Sequence, residues 1–494
     1  MPIILILFLA LVCSPIPWPE PVVWPSESAA ALLTVAIMGG IVARSFRVAR
    51  RLLRRLGGQN RSDVLIDFHR FRSRQILWLS GGYVACLTLC GWGWAVSRWL
   101  ANGPEHEMAP GGELLLLAPF LLGWVASWWA GHWVESGVSI AIGQEPLGLR
   151  DYLALQFRRQ LALACIPVGV VILGQSATRA WPDLAKQTSF QVGNIAVVFA
   201  VLVTAPWLLR GLLGLRPLPA GPLRQKLEAT ARRLRFRYDD LLLWNTHGHA
   251  ANAMISGVFR KPRYVLFTDV LLEEMTPDEI EGVLGHEMGH ARHRHLAYYL
   301  LFLGLSCVAL FGLANWADQE LQLGKLFGDW QSIPYFLMGA AYIVVVFGFV
   351  SRSCEREADL FGCKAVSCGR PDCAGHDGPI VGECELCRTG VTTFIGSLER
   401  VAISNGIDRK KPGWLSSWQH GTIAKRVEFL EQVRENPKLA DEFQHRLRWI
   451  KIGLLVVLAA SVALFAYTGY ITAPPTPEPS PPDLLARLQF FVPA

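Results

Sequence analysis

The tightest constraint on this chain is a recurrence of apolar runs near 20 residues in length. They fall at about 28–43, 76–97, 113–134, 160–177, 191–213, 296–316, 332–350 and 449–470, and hold almost no ionisable side chains. A helix of roughly 20 residues crosses a hydrocarbon core of about 30 Å, so the chain reads as a polytopic membrane protein with soluble parts. Composition agrees: 52% of residues are hydrophobic and 18% charged, against about a quarter charged in soluble chains. Residues 3–17 read as a short first span or a signal-like apolar segment, and a retained span is the favoured reading because no basic segment precedes them and no small-residue cleavage site is obvious.

Lys and Arg in the loops set the expected orientation. The stretch 44–75 carries ten Arg against two Asp, which places it in the cytoplasm. Counting spans from there puts 135–159, 214–295 and 351–448 inside. The Lys- and Arg-poor loops 98–112, 178–190 and 317–331 fall outside, with the Pro-rich tail. The net charge of +7 is then mostly an orientation signal beside anionic lipid, and nucleic acid is not an expected partner.

The expected organisation has six parts. An N-terminal membrane region of five to six spans covers 1–213. A first soluble segment, 214–295, is followed by two spans within 296–350. A second soluble segment, 351–448, holds a Cys-rich insertion at about 363–390. A last span at 449–470 and a tail at 471–494 close the chain. Within 214–295, "PLRQKLEATARRLRF" has helical periodicity, "YDDLLLWNT" and "RYVLFTDVLL" read as short strands, and "NAMISGVF" suits an edge strand. His132, at the end of a span, reads as a headgroup-level residue. The 18 Trp, gathered at span ends and in spans, read mostly as interfacial anchors.

"TPDEIEGVLGHEMGHARHRH" carries the chemistry. Thr276 is a natural helix cap, Pro277 a first helical residue, and Glu279 completes a capping box. The helix should run to about His295. His286 and His290 lie one turn apart on one face, so both imidazoles can reach one Zn²⁺. Glu287, offset by one residue, can reach a metal-bound water and act as general base. A catalytic zinc needs a third protein ligand. Glu355 in "CEREAD" is the best candidate, with Glu357 the rival on another face. Asp359, one turn beyond Glu355, suits a hydrogen bond to the second ring nitrogen of a liganding histidine. Both ligand-bearing helices are expected to continue into spans.

Here the sequence resembles the integral-membrane zinc metallopeptidases that include the CAAX prenyl endopeptidases and HtpX-like proteases. Four motifs match in order over about 220–435: "NAMISG", the HExxH helix with its extra His295, "SRSCEREAD", and "HGTIAKRVEFL". The resemblance implies that His286, His290 and Glu355 hold zinc and Glu287 is the base. It implies that Asn252, Ala253 and Gly257 belong to the strand on which a substrate backbone pairs. It places His420 and Arg426 near the cleft, where either can stabilise an oxyanion. Gly421 stands where the family often has Pro.

The fold implied is mostly α: a polytopic helical membrane protein with a cytosol-facing, zincin-like metalloprotease domain that contains a small β-sheet. The function implied is an endopeptidase acting on membrane-associated or misfolded proteins, or on protein termini, in a bacterial inner membrane. The alternative is a catalytically silent zinc-binding scaffold or quality-control adaptor. Protein or peptide substrates and the lipid bilayer are the expected partners.

The cysteine cluster departs from that family. Cys368, Cys373, Cys384 and Cys387 are the expected ligands of a second, structural zinc, with free thiols or a redox switch as the alternatives. His293 and His295 read as surface or interfacial residues. His247 and His249, just before the Asn252 strand, read as loop residues near the cleft.

Overall fold

The computed structural model describes residues 18, 26–55, 61–102, 107–141, 143, 145–248, 251–322, 332–367, 386–409 and 417–471. Among the described residues, six helices are long and apolar enough to cross a membrane, or seven if one bent pair counts as a span. Leu32, Val35, Leu122, Val456 and Val457 are exposed on them. Such surfaces suit lipid, which leaves the backbone to satisfy its own polar groups, as a helix does. The residues 3–17 lie outside the described part.

The N-terminal region opens with α1 (Glu27–Leu53), capped by Ser26, and α2 (Arg61–Thr88). Gly91, at φ +74, turns the chain by 56° into α3 (Trp92–Trp99). The run 76–97 is therefore bent. A two-residue ladder, β1 (Ala101–Asn102) with β2 (Glu107–Met108), precedes α4 (Gly112–Ala141). The run 160–177 falls on α5 (Leu149–Gln160), a π-turn at Leu161–Cys165 and α6 (Ile166–Ala180), which do not meet the length and apolarity of a span. The helix α7 (Thr188–Leu212) does.

Two sequence expectations change here. Trp92, Trp94, Trp124 and Trp128 are buried in the core between α1, α3 and α4, rather than at an interface. Trp92 Nε1 donates to the Leu116 carbonyl at 3.0 Å, so its polar atom is satisfied inside. The span α4 also buries Glu113, which Arg179 meets at 2.5 Å. Apolarity alone hid this pair, whose partners lie 66 residues apart. His132 is held by the Leu147 carbonyl at 3.0 Å, a structural role.

Residues 216–268 contain a four-stranded sheet ordered β3–β4–β6–β5. Its strands are β3 (Arg216–Pro217), β4 (Asp240–Trp244), β5 (Ala253–Ser256) and β6 (Tyr264–Thr268). β4 and β6 run parallel, and β5 runs antiparallel to β6. α8 (Pro222–Arg233) and α9 (Asp269–Glu274) flank it, and α10 (Pro277–Arg292) packs beneath. Leu241, Val265, Phe267, Leu284 and Met288 form the buried core between sheet and helix.

The chain then enters α11 (His295–Leu321). After residues outside the described part, α12 (Ser332–Tyr342), a π-turn and α13 (Gly348–Val366) follow. α14 (Arg388–Ser404), α15 (Ile423–Glu435) and α16 (Lys438–Tyr467) complete the described elements. Two compact units result. The first comprises residues 1–297 and 332–447; the second comprises 298–331 and 448–494. Inside the second, Tyr298 Oη donates to the Lys451 carbonyl at 3.2 Å, and Asn315 donates to the Tyr470 carbonyl at 2.8 Å.

α10 and α13 approach closely because glycines line the contact. A Cβ at Gly285 would lie 2.2 Å from Ala365 Cβ, and one at Gly289 would lie 2.9 Å from Ala358 Cα. Only hydrogen fits at both positions. This close packing sets the separation between the histidines of one helix and the carboxylates of the other.

Candidate metal centre

The capping box expected at Thr276 is present. Thr276 N donates to Glu279 Oε2 at 2.8 Å, and Glu279 N donates to Thr276 Oγ1 at 3.3 Å. From this fixed start α10 carries His286 and His290 on one face. α13 brings Glu355 opposite them. The two Nε2 atoms lie 3.2 Å apart, and they stand 3.7 and 3.6 Å from the two Glu355 carboxylate oxygens. Two ligand atoms held by a tetrahedral zinc are roughly 3.3 Å apart, given bonds of about 2.0–2.1 Å. The donor set therefore fits Zn²⁺ in both chemistry and span: two neutral imidazoles and one carboxylate, with a fourth position left to solvent or substrate.

Each histidine is backed on its other nitrogen. His286 Nδ1 lies 2.9 Å from Asp359 Oδ1. Burial alone would push the His286 imidazole down, but Asp359 and Glu355 outweigh it and hold it above its ordinary value. His290 Nδ1 lies 2.9 Å from His295 Nδ1, and His295 Nε2 lies 2.8 Å from Glu357 Oε2. When Nε2 of His290 serves a metal, its Nδ1 carries the proton and donates to His295. His295 in turn donates to Glu357. Burial, and then the neighbouring His286, push His290 down to about 3, so its lone pair is free near neutral pH.

His295 is thus 1% exposed rather than interfacial. Glu357, the rival ligand, faces away from His286 and takes His295 and His293, whose Nδ1 lies 3.2 Å from Glu357 Oε1. Cys354 joins this second cluster: ligand atoms of His295, Cys354 and Glu357 all lie within 4.8 Å of one another. The HExxH helix also stops short of expectation. It ends at Arg292, and Arg294 adopts φ +54 before α11 begins at His295. That break swings His295 back toward His290. The helix bearing Glu355, in contrast, is continuous with an apolar stretch from Leu337 to Val366.

Glu287 sits beside the ligand set. Its Oε2 accepts a hydrogen bond from Ile255 N at 3.2 Å. Burial raises its carboxyl to about 7, since a buried carboxylate loses hydration. Ile255 belongs to β5, the sheet's edge. Asn252 O accepts from Thr268 N, so the backbone of Asn252, Met254 and Ser256 turns toward β6. The alternation of a strand leaves Ala253 and Ile255 facing outward, toward the metal centre. Gly257 ends the strand at φ +118, where a Cβ would lie 2.2 Å from the Pro262 carbonyl.

The late motif closes the site. His420 Nδ1 lies 2.9 Å from Glu355 Oε1, and its side chain is 60% exposed. Arg426 is buried. Its Nε donates to Asp359 Oδ2 at 2.8 Å, a second contact joins Nη2 to Asp359, and Nη1 lies 3.4 Å from Glu355 Oε2. Arg426 thus fixes both carboxylates rather than facing the cleft.

The sequence profile of peptidase family M48 matches residues 217–375, the stretch that supplies His286, Glu287, His290 and Glu355. That stretch of the chain is similar to peptidase family M48. The family's metallopeptidases depend on zinc, which the donor set here suits. A CAAX prenyl protease 1 homolog of Arabidopsis thaliana is 31% identical over 159 residues, covering 30% of this chain and 38% of the relative. A protease HtpX homolog of Pyrobaculum calidifontis is 35% identical over 199 residues, covering 37% of this chain and 54% of the relative. The match thus spans about two fifths to one half of these relatives. The crystal structure of S. mikatae Ste24p has the same fold at a TM-score of 0.50 and 14% identity, covering 81% of this chain and 98% of that one.

Of the expected structural-zinc cysteines, Cys368, Cys373 and Cys384 lie outside the described residues, as does His249. Cys387 is described. It is buried, and its Sγ accepts from Gly390 N at 3.2 Å, capping α14. His247 lies in a turn at φ +55, with its N–H donating to Asn245.

Proposed function

We propose that this chain is a membrane-embedded zinc endopeptidase that cleaves membrane-associated or misfolded proteins, or processes protein termini. The observation that carries the reading is the bond from Ile255 N to Glu287. It joins Glu287, next to the His286, His290 and Glu355 cluster, to the outward side of β5. A zinc scaffold has no use for a buried carboxylate beside the three ligands.

His286, His290 and Glu355 would hold the metal, with Asp359 and His295 orienting the imidazoles. Zinc, when bound, supplies a Lewis acid that polarises the scissile carbonyl and acidifies water. A substrate segment would pair with the outward backbone groups of Ala253 and Ile255, taking the place of the bond from Ile255 N to Glu287 and extending the sheet. Glu287 would take a proton from the attacking water and pass it to the leaving amine. His420, whose exposed ring lies against Glu355, would face the developing oxyanion. Arg426 acts through Glu355 and Asp359 as a positioning residue.

The proposed orientation keeps 214–295 and 351–448 in the cytoplasm of a bacterial inner membrane, beside the Arg-rich stretch 44–75. Prenylated protein ends are the substrate class that one relative's name prints, and misfolded membrane proteins are the second class we propose. The test is hydrolysis itself. Purified protein in detergent is incubated with a farnesylated CAAX peptide or with an unfolded membrane protein, with zinc and then with a chelator. Zinc-dependent cleavage of either supports the proposal. Bound zinc with no cleavage of either favours the scaffold.

A further inference from the structure

We propose that the cavity between α1 and α2 binds a phosphate-bearing anion, independently of the peptidase reading. The cavity measures about 310 Å³. Five arginines line it: Arg44, Arg51 and Arg55 from α1 and its end, and Arg70 and Arg74 from α2. Asp67 is the one carboxylate in the lining.

The convergence follows from helical spacing. Positions 44, 48, 51 and 55 share one face of α1, and 67, 70, 71 and 74 share one face of α2. Helix polarity does not account for it. A favourable dipole effect is confined to the last turn of a helix. Arg44 precedes the end of α1 by more than two turns, and Arg70 and Arg74 lie more than two turns into α2. Charge compensation does not account for it either. Arg70 meets Asp408 at 3.1 Å and Asp67 at 3.8 Å. Among the described residues, Arg44, Arg51, Arg55 and Arg74 have no carboxylate partner.

Guanidinium groups gathered in this way repel one another, and a shared anion relieves the repulsion. A phosphate offers several oxygens to planar forks, the pairing Arg makes best. The cavity floor includes buried Phe71. Arg44 is held 4.4 Å over the Trp78 ring, which fixes its direction. The site lies toward the Arg-rich end of α1, a helix long and apolar enough to cross a membrane, so a phospholipid headgroup would be within its reach. A lipid headgroup and free phosphate share this chemistry.

The test uses the full chain in phosphatidylcholine nanodiscs. One arm is titrated with phosphatidylglycerol and the other with inorganic phosphate, following the thermal unfolding midpoint and the bound ligand by native mass spectrometry. The comparison is between Arg51→Gln/Arg55→Gln/Arg74→Gln and Arg47→Gln/Arg50→Gln, whose charges lie on α1 outside the cavity. The expected result is saturable binding in at least one arm, weakened by roughly tenfold or more in the first variant and little changed in the second. Which arm saturates identifies the carrier of the phosphate. An equal loss in both variants would show only diffuse surface charge and overturn the proposal. So would the absence of saturable binding in both arms. Unfolding midpoints of the ligand-free variants identify a folding defect, and Arg51→Lys/Arg55→Lys/Arg74→Lys then carries the comparison. It keeps the charge and loses the planar fork, so unchanged affinity for this variant would also overturn the proposal.

Discussion

Gly289→Ala probes the geometry on which the metal centre depends. The added Cβ would meet Ala358 Cα and Phe361 Cβ at 2.9 Å each, and the Ala358 carbonyl at 3.2 Å. Real Cβ atoms keep ordinary contacts near 3.5–4.0 Å, so α10 and α13 must part by roughly half an ångström or more. Two of the three contacts lie on the backbone of α13, which cannot rotate away. Zinc ligation tolerates deviations of only about 0.2 Å, and Glu355 rides on the displaced helix, one turn from Ala358. Overpacking of this kind costs about 1–3 kcal/mol. Spent on ligand geometry, that is roughly a tenfold to hundredfold loss of zinc affinity. The assay is zinc competition against a calibrated chelator, with Gly396→Ala as control. A Cβ there meets only Glu279 Oε1, at 3.8 Å. Wild-type zinc affinity in Gly289→Ala would refute the claim that glycine packing sets the ligand separation.

Two further outcomes follow from the same geometry. Burial raises Glu287 to about 7, and a base must be ionised to accept a proton. Hydrolysis should therefore fall as pH drops, with a midpoint at or below about 7 because a bound dication lowers the value; a rate that rises toward acid pH would contradict this. His295→Ala removes the acceptor behind His290 and should weaken zinc binding by about 10–100-fold, measured by the same chelator competition, whereas an interfacial His295 would leave the affinity unchanged.

Much of the site is legible in the chain because its spacing is local. The i, i+4 pairs His286/His290 and Glu355/Asp359 follow from helix geometry, and Thr276 with Glu279 marks where the first helix starts. What stays hidden depends on breaks and on long-range packing. The expected run to His295 misses the positive φ at Arg294, and with it the turn that buries His295 against His290. Glu357 reads as a spare ligand until the face it occupies is known. Arg426 reads as a cleft residue, since nothing local shows its contact with Asp359, 67 residues away. Tryptophans at span ends look like anchors in sequence, yet several fill the core between α1, α3 and α4. The apolar runs identify spans well where a helix is straight, and poorly at 76–97 and 160–177, where a bend or a π-turn interrupts it.

The most direct test of the central claim is Glu287→Gln, with zinc content and peptide cleavage measured on the same preparation. The substitution keeps the shape of the side chain and leaves His286, His290 and Glu355 in place. The expected result is wild-type zinc content with cleavage reduced by about 10²-fold or more. The inactive protein should also retain bound substrate peptides for identification. Cleavage at the wild-type rate with zinc retained would contradict the role given to Glu287.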